Sequence, residues 1–404
     1  MDTTQTYLDL YARHRDQLMS VAPDVMNSLR DDAIRAFQQQ GFPSQKVEEY
    51  KYTDTAQAFG GGYELSMAAT CVTAKDAPVA VNNSELLHKY YGQCTDTSDP
   101  IIALNTAFAT ECLCIHVGRN QQVERPLEIS DIMKAQTDKM EHKRILIVLE
   151  ENASLTLLMH YEATDPVRFL TTQVVEVFVG DGAHLDMYEI EETHAGCTRF
   201  NNISFNVMRN ATVRHNGITL FNGTTRNTVS VALKGEYSEV TLNGCAMEDK
   251  SQHVDVNTLI RHEVPRCTSH ELYKFVVDEQ ATGAFAGKVY VAEGAQQTQS
   301  DEVNQNICIG DESHMFTQPM LEIYADDVKC SHGSTVGKLD EAALFYLRQR
   351  GIPLAKARQL LIQAFISQVV DYIPLQPLRE RLHIMVEHRL GNDLDTCAGC
   401  TLCR

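Results

Sequence analysis

The sequence predicts a mainly β protein, a β core flanked by N-terminal and C-terminal α-helical regions. Three observations lead to this fold class. From Ile101 to about Val336, short β-branched runs alternate with Gly, Asn and Asp, and no helix-length apolar period appears. On either side of that stretch, apolar residues recur at helical spacing. Within it, a turn pair followed by Ala and an alternating strand returns at a nearly constant interval.

Residues 1–95 form the N-terminal helical region. Tyr7, Leu10, Tyr11, His14 and Leu18 share one helix face, and a second run from Asp24 sets Val25, Leu29 and Phe37 to one side before Gly41-Phe42-Pro43 ends it. Gly60-Gly61-Gly62 is a loop, and the polar stretch from Gly92 to Pro100 marks the domain boundary.

The core is assigned to residues 96–338. Glu151–Leu157, Gly180–Asp186 and Arg209–Arg214 each place a turn pair ahead of Ala, and Ala153, Ala183 and Ala211 are 30 and then 28 residues apart. Looser echoes stand at Gly235–Ser238 and Asp278–Ala281. Such spacing fits a solenoid of stacked parallel strands, and a two-sheet sandwich would give similar punctuation.

Residues 339–391 return to helix. Asp340 is placed to cap a helix that Gly351 ends; Pro353 starts a second, with Leu354, Ala357, Leu361, Ile362, Phe365 and Val369 as its stripe. Pro377 starts a third that Gly391 stops. There Leu378, Leu382, Met385 and Val386 are expected inside, and Arg379, Glu380, Arg381, Glu387, His388 and Arg389 outside. Residues 392–404 are a Cys-rich tail.

Composition sets limits on function. The 404 residues are 43% hydrophobic and 22% charged, enough for a sizeable core, and the formal charge of −19 disfavours nucleic acid and anionic membrane as partners. The N-terminal residues lack the basic and apolar blocks of a signal peptide, and runs such as Ile145–Leu149 are too short to span a bilayer. A cytoplasmic location with reduced thiols is therefore expected for the twelve cysteines, Cys71, Cys94 and Cys245 serving to pack.

The most chemically loaded stretch is Ala325–Glu341. If it is extended, Tyr324, Asp326, Val328, Cys330 and His332 point to one face, and Asp327, Lys329 and Ser331 to the other. A thiolate and an imidazole together suit iron or zinc, but two donors cannot close a tetrahedral site. The packing alternative makes Cys330 a small apolar residue and His332 a polar strand end. Gly333–Lys338 is one residue short of a phosphate loop, and Leu339 replaces the magnesium-binding hydroxyl, so no nucleotide is expected there.

Cys397, Cys400 and Cys403 match three ligands of a ferredoxin-type run without a fourth. They suit a transient iron or cluster site, a zinc or regulatory thiol site, or an appendage without metal. A redox protein built on these cysteines is the alternative from another functional class. His184, His215, His253, His262, His270 and His314 are expected to be satisfied residues, His314 being the one nearest the motif. Adjacent acids such as Glu191-Glu192 and Asp326-Asp327 fall on opposite strand faces and do not make a hydrolase pair, and no zincin or nucleophile-elbow motif is present, so no enzyme activity is expected.

The run Asp326–Gly337, followed by Leu344-Phe345-Tyr346-Leu347-Arg348 and Arg350-Gly351-Ile352, resembles the SufB/SufD family of the SUF iron–sulfur cluster assembly machinery, with the SufD branch the nearer. Glu48-Glu49-Tyr50-Lys51-Tyr52-Thr53 resembles an N-terminal element of that family, with Tyr50 where Trp is usual; this change is expected to keep the packing. The resemblance implies a right-handed parallel β-helix core at 96–338. It implies a scaffold that joins a SufB-like chain, or its own copy when that chain is absent, and docks the ATPase SufC at 339–391. It further implies that Cys330 and His332 contribute to a transient iron or iron–sulfur cluster at the SufB–SufD interface. A SufB-like identity is the alternative within the family; the absence of an N-terminal cysteine cluster speaks against it. The family implies nothing about the tail, so a chain ending at Leu394 is expected to assemble with its partners undiminished; loss of the complex on truncation, read by co-purification, would overturn that.

Overall fold

The computed structural model describes residues 3–67 and 78–391. Its centre is a parallel β-solenoid. Each coil contributes one strand to a 10-stranded sheet and the next to an 8-stranded sheet, so strands two apart in sequence are hydrogen-bonded neighbours. Parallel pairing of strands two apart decides for the solenoid over the sandwich, and its two sheets face each other.

Register is set by the corners. Asn152, Gly182, Asn210, Tyr237, Arg266 and Gln297 each take a positive φ where a strand of the larger sheet turns into one of the smaller. Left-handed backbone is costly for most side chains and easier for Gly and Asn. Here it aims the amide along the solenoid: Asn152 N–H donates to Asp181 O at 2.8 Å, Gly182 to Arg209 O at 2.8 Å and Asn210 to Glu236 O at 3.0 Å. The repeated Ala after the turn, at 153, 183 and 211, is fully buried against the core. The echo at Gly235–Ser238 belongs to this corner series, whereas Asp278–Ala281 lies at the opposite corner, before the strand Thr282–Val291.

Inward positions alternate along every strand, and most are apolar: Leu155, Val177, Phe205, Val231, Phe275 and Phe285 are fully buried in one continuous core. Outer faces are covered by helices. Thr3–Val21, Asp24–Gln40 and Pro100–Phe108 pack Tyr7, Leu104 and Phe108 on Met140, Leu170 and Phe200 of the larger sheet. Glu341–Gln349, Leu354–Val370 and Gln376–Leu390 follow the last strand, the latter two laying Ile362, Ile366, Val369, Leu382 and Val386 on Tyr188, Ile218 and Met247 of the smaller one. No helix among the described residues is long and apolar enough to cross a membrane.

Three expectations need correction. Ile101–Phe108 is helix, not the start of the β core; being buried all round it carries no amphipathic period, and its signal is the start, where Asp99 accepts N–H bonds from Ile101 at 2.8 Å and Ile102 at 3.1 Å ahead of Pro100. Leu354, assigned to the apolar stripe, is exposed, while Ala357, Ile362 and Val369 are buried as expected. Arg389, expected outside, is buried: its guanidinium donates to Leu220 O at 2.8 Å, Met247 O at 3.2 Å and Asp249 Oδ2 at 2.6 Å. It pins the last helix to the sheet. The predicted cap at Asp340 is observed, its carboxylate accepting from Ala342 and Ala343 N–H.

Beneath the last helix, His160 donates from both ring nitrogens, to Glu162 at 2.9 Å and Glu192 at 2.6 Å, with Arg381 3.9 Å from Glu192. Burial alone would lower the imidazole, but hydrogen bonds and charge from the two carboxylates outweigh it and raise it to about 9. A raised basic group stabilises the fold fully below its unfolded value near 6.5, and that contribution is lost as pH rises through about 9. His160→Gln is therefore expected to remove a fall in stability of up to about 3 kcal/mol between those values, measured by urea midpoints; an unchanged pH profile would refute it. Arg389→Ala is expected to cost the C-terminal helices about 3–5 kcal/mol, as leaving a buried charge partner unpaired does. Amide exchange should accelerate over residues 376–390 and not in the strand Cys197–Val207; equal protection in both would refute it.

Candidate functional site

The last strand of the solenoid, Val328–Gly337, carries the motif. It pairs in parallel with Thr298–Cys308 on one side and with nothing among the described residues on the other. The period of two is kept, so Val328, Cys330, His332 and Ser334 lie above Thr298, Ser300, Glu302 and Asn304 on the inward side of the coil. Cys330 is half-buried against Val289, Val291 and Ala325, and burial pushes its thiol up from the ordinary value. His332 is exposed because no further coil covers it. The sequence expectation of a shared face holds, and both donors stand at the open end.

The interior beneath them differs from the rest of the core. Through the earlier coils the inward column is Leu127, Leu157, Met187, His215 and Leu242; it continues as Glu271, Glu302 and His332. A second column ends in Tyr273, Asn304 and Ser334, and a third in Ser269, Ser300 and Cys330. Ser269 donates to Ser300 Oγ at 2.8 Å and faces His262 Nε2 at 2.9 Å. Thr317 donates to Asn304 Oδ1 at 2.9 Å and lies 2.5 Å from Ser334 Oγ.

Glu271 and Glu302 were not singled out from the sequence. Both are almost fully buried; Glu271 Oε2 accepts a 3.3 Å bond from Thr258, while Glu271 Oε1 and both oxygens of Glu302 have no hydrogen-bond partner. Burial raises Glu302 to about 7, and burial together with the neighbouring Glu302 charge raises Glu271. The signal available in sequence was an acidic residue at an inward position of an alternating strand, twice, one coil apart.

Other expected donors are not brought here. His314 opens the strand His314–Ile323 at the corner of the coil opposite Val328–Cys330. His184, His215, His253, His262 and His270 each have a partner, respectively Asp186, Glu189, Thr53, Ser269 and Asp301. Cys94 and Cys245 are packed thiols; Cys71, Cys397, Cys400 and Cys403 lie outside the described residues. Among the described residues, one group offers three metal-type donors within 4.8 Å of one another, His160 with Glu162 and Glu192. Both ring nitrogens there already bond carboxylates, which makes it an ion cluster.

The N-terminal element is tied to the same end of the solenoid. Tyr52 stacks on Phe316 at 4.5 Å, and Gln318 donates to Glu48 at 2.8 Å. Tyr50 is buried under Arg226, 4.1 Å from its ring, and its hydroxyl donates to Asp99 at 2.6 Å, so packing is kept in the place of Trp and the helix-capping carboxylate gains a partner.

Comparison with known proteins shows the family. Residues 132–365 match the model of the SUF system FeS cluster assembly SufBD core domain, and residues 1–79 and 77–129 match the SufBD protein N-terminal region. The chain is similar to an iron–sulfur cluster assembly protein SufD of Escherichia coli, 29% identical over 82% of this chain and 75% of that protein. An iron–sulfur cluster assembly SufBD family protein of Synechocystis is 30% identical over 81% of this chain and 74% of its own length. A SufD of Bacillus subtilis is 24% identical over 77% and 72%. The matched core runs through both the polar end of the solenoid and the strand bearing Cys330 and His332: the chain belongs to the SufBD family of iron–sulfur cluster assembly proteins.

Proposed function

We propose that this chain is a SufD-like scaffold subunit of a cytoplasmic SUF assembly complex, without enzyme activity of its own. In this reading it pairs with a SufB-like chain through the open last coil and docks a SufC-like ATPase at its C-terminal helices. The observation that carries the reading is the position of Cys330 and His332 on a strand whose outer backbone edge is unpaired among the described residues. An edge of free N–H and C=O groups is a template for another chain's strand. Phe316, Met320, Ile323, Tyr324 and Val336 are exposed around it, an apolar rim suited to a solenoid end of the same kind.

The chemistry follows from incompleteness. A half-buried thiol and an exposed imidazole supply a soft and a borderline donor, and a partner chain must supply the rest. Such a shared site assembles and opens with the interface, as temporary construction of a cluster requires. Cluster and iron are cargo here. Support for docking at the C-terminal region comes from Phe345 and Tyr346, which project exposed from the helix Glu341–Gln349 beside the open coil. In the absence of a SufB-like partner the same edge fits a second copy of this chain.

The test is anaerobic co-purification of the chain with SufB-like and SufC-like partners, with iron and sulfide measured per complex. His332→Ala is expected to leave the complex intact and lower both contents by roughly tenfold, the scale on which losing one contributor weakens a metal site, with Cys330→Ala lowering them less. An undiminished cluster in both variants would overturn the site assignment.

A further inference from the structure

We infer that the interior carboxylates Glu271 and Glu302 are a binding site for one divalent transition-metal cation, ferrous iron being the cation of interest, held inside the last coils directly beneath His332. The inference rests on the scaffold reading above and adds residues to it.

Two carboxylates stand one coil apart in a column where neighbouring strands are separated by about 4.8 Å. Three of their four oxygens lack a hydrogen-bond partner although the residues are 2% and 1% exposed. Across the last coils, from Thr268 to Gly337, no inward position holds Lys or Arg to neutralise them. Buried acids without a countercharge are costly, and a bound dication offsets that cost. Space for them has been made: Gly287 faces Glu302 from the opposite sheet, and a methyl group there would overlap the carboxylate.

Access and ligand chemistry agree. Hard oxygen donors with an imidazole suit ferrous or manganous ions, and thiolate-preferring ions less so. His332 occupies the next position of the column toward solvent, and Cys330, Ser334 and Thr317 rim the opening. His332 is exposed at the open end, in register with Glu302 one strand below, and its ring would turn toward the interior to join the two carboxylates. A cation held there sits one coil below the edge on which a partner chain would complete the assembly site.

The experiment uses the full-length chain alone, so that its outcome is independent of cluster assembly with partners. Manganous ion is the first probe because it disfavours the cysteines of the tail, and ferrous ion is added anaerobically in a chain carrying Cys397→Ser, Cys400→Ser and Cys403→Ser. Competition with a chromophoric chelator should show one ion per chain and a metal-dependent rise in thermal midpoint. Glu302→Gln and Glu271→Gln should each weaken binding at least tenfold while remaining folded, because each removes a buried charge and keeps its shape. His332→Ala should weaken it less, and Glu248→Gln, another buried acid with unpartnered oxygens elsewhere in the fold, should leave it unchanged. No saturable binding by the wild-type chain, or binding indifferent to both Glu271→Gln and Glu302→Gln, overturns the proposal and leaves the partner-dependent role of His332 standing.

Discussion

Each strand of the solenoid satisfies its backbone through the coil before it and the coil after it, and among the described residues the last coil has no successor. That single constraint governs the rest. A parallel ladder needs every coil to repeat the register of the one before, which the left-handed corner residues enforce by donating their amides to the next turn. It also concentrates all unsatisfied backbone at the ends. At one end Val79–Val81 adds an antiparallel strand beside Leu113–Val117, while at the other Val328–Gly337 is left open.

The interior answers the same geometry. Where a coil is covered on both sides, inward positions are Leu, Val, Ile and Phe, because any polar group there must find a partner within the coil. Glu189 does so with Tyr161 at 2.7 Å, His215 at 2.9 Å and Asn201 at 3.1 Å, and burial is offset strongly enough that its carboxyl falls to about 2. Toward the open end the compensation disappears. Glu271 and Glu302 are as buried as Glu189 but have no cation, and their carboxyls are pushed the other way. Like residues in one fold therefore differ because Glu189 has His215, Arg199 and hydrogen-bond donors around it and Glu271 and Glu302 do not.

What could be read in the sequence was whatever repeats or punctuates. Ala153, Ala183 and Ala211 exposed the coil length because a buried corner admits only a small side chain, and the alternation around Cys330 and His332 placed them on one face because a strand has period two. The helix Pro100–Phe108 was not legible from periodicity, being apolar on all sides, and Arg389 was misplaced because a charged side chain at a helix end reads as solvent-facing until the carbonyls of Leu220 and Met247 are seen beneath it. Glu271 and Glu302 escaped notice for a related reason. Their meaning depends on stacking between coils, and residues 31 apart in the chain become neighbours only once the register is known.

The same stacking explains why the two stretches that carry the family likeness lie so far apart in sequence. Glu48–Thr53 is strapped across the last four strands of the larger sheet, touching three of them: Tyr50 lies under Arg226, Thr53 donates to Asp255 at 2.5 Å, and Tyr52 stacks on Phe316. Its final contact is with the strand that shares the last coil with Cys330 and His332. The strap therefore buttresses the end coil from the larger sheet, as the C-terminal helices follow directly from the smaller one. An uncovered coil without a neighbour to hold it would fray, since half of its ladder is absent. Keeping it ordered yet unpaired calls for support from outside the solenoid, and the N-terminal strap provides it through Tyr52 and Glu48.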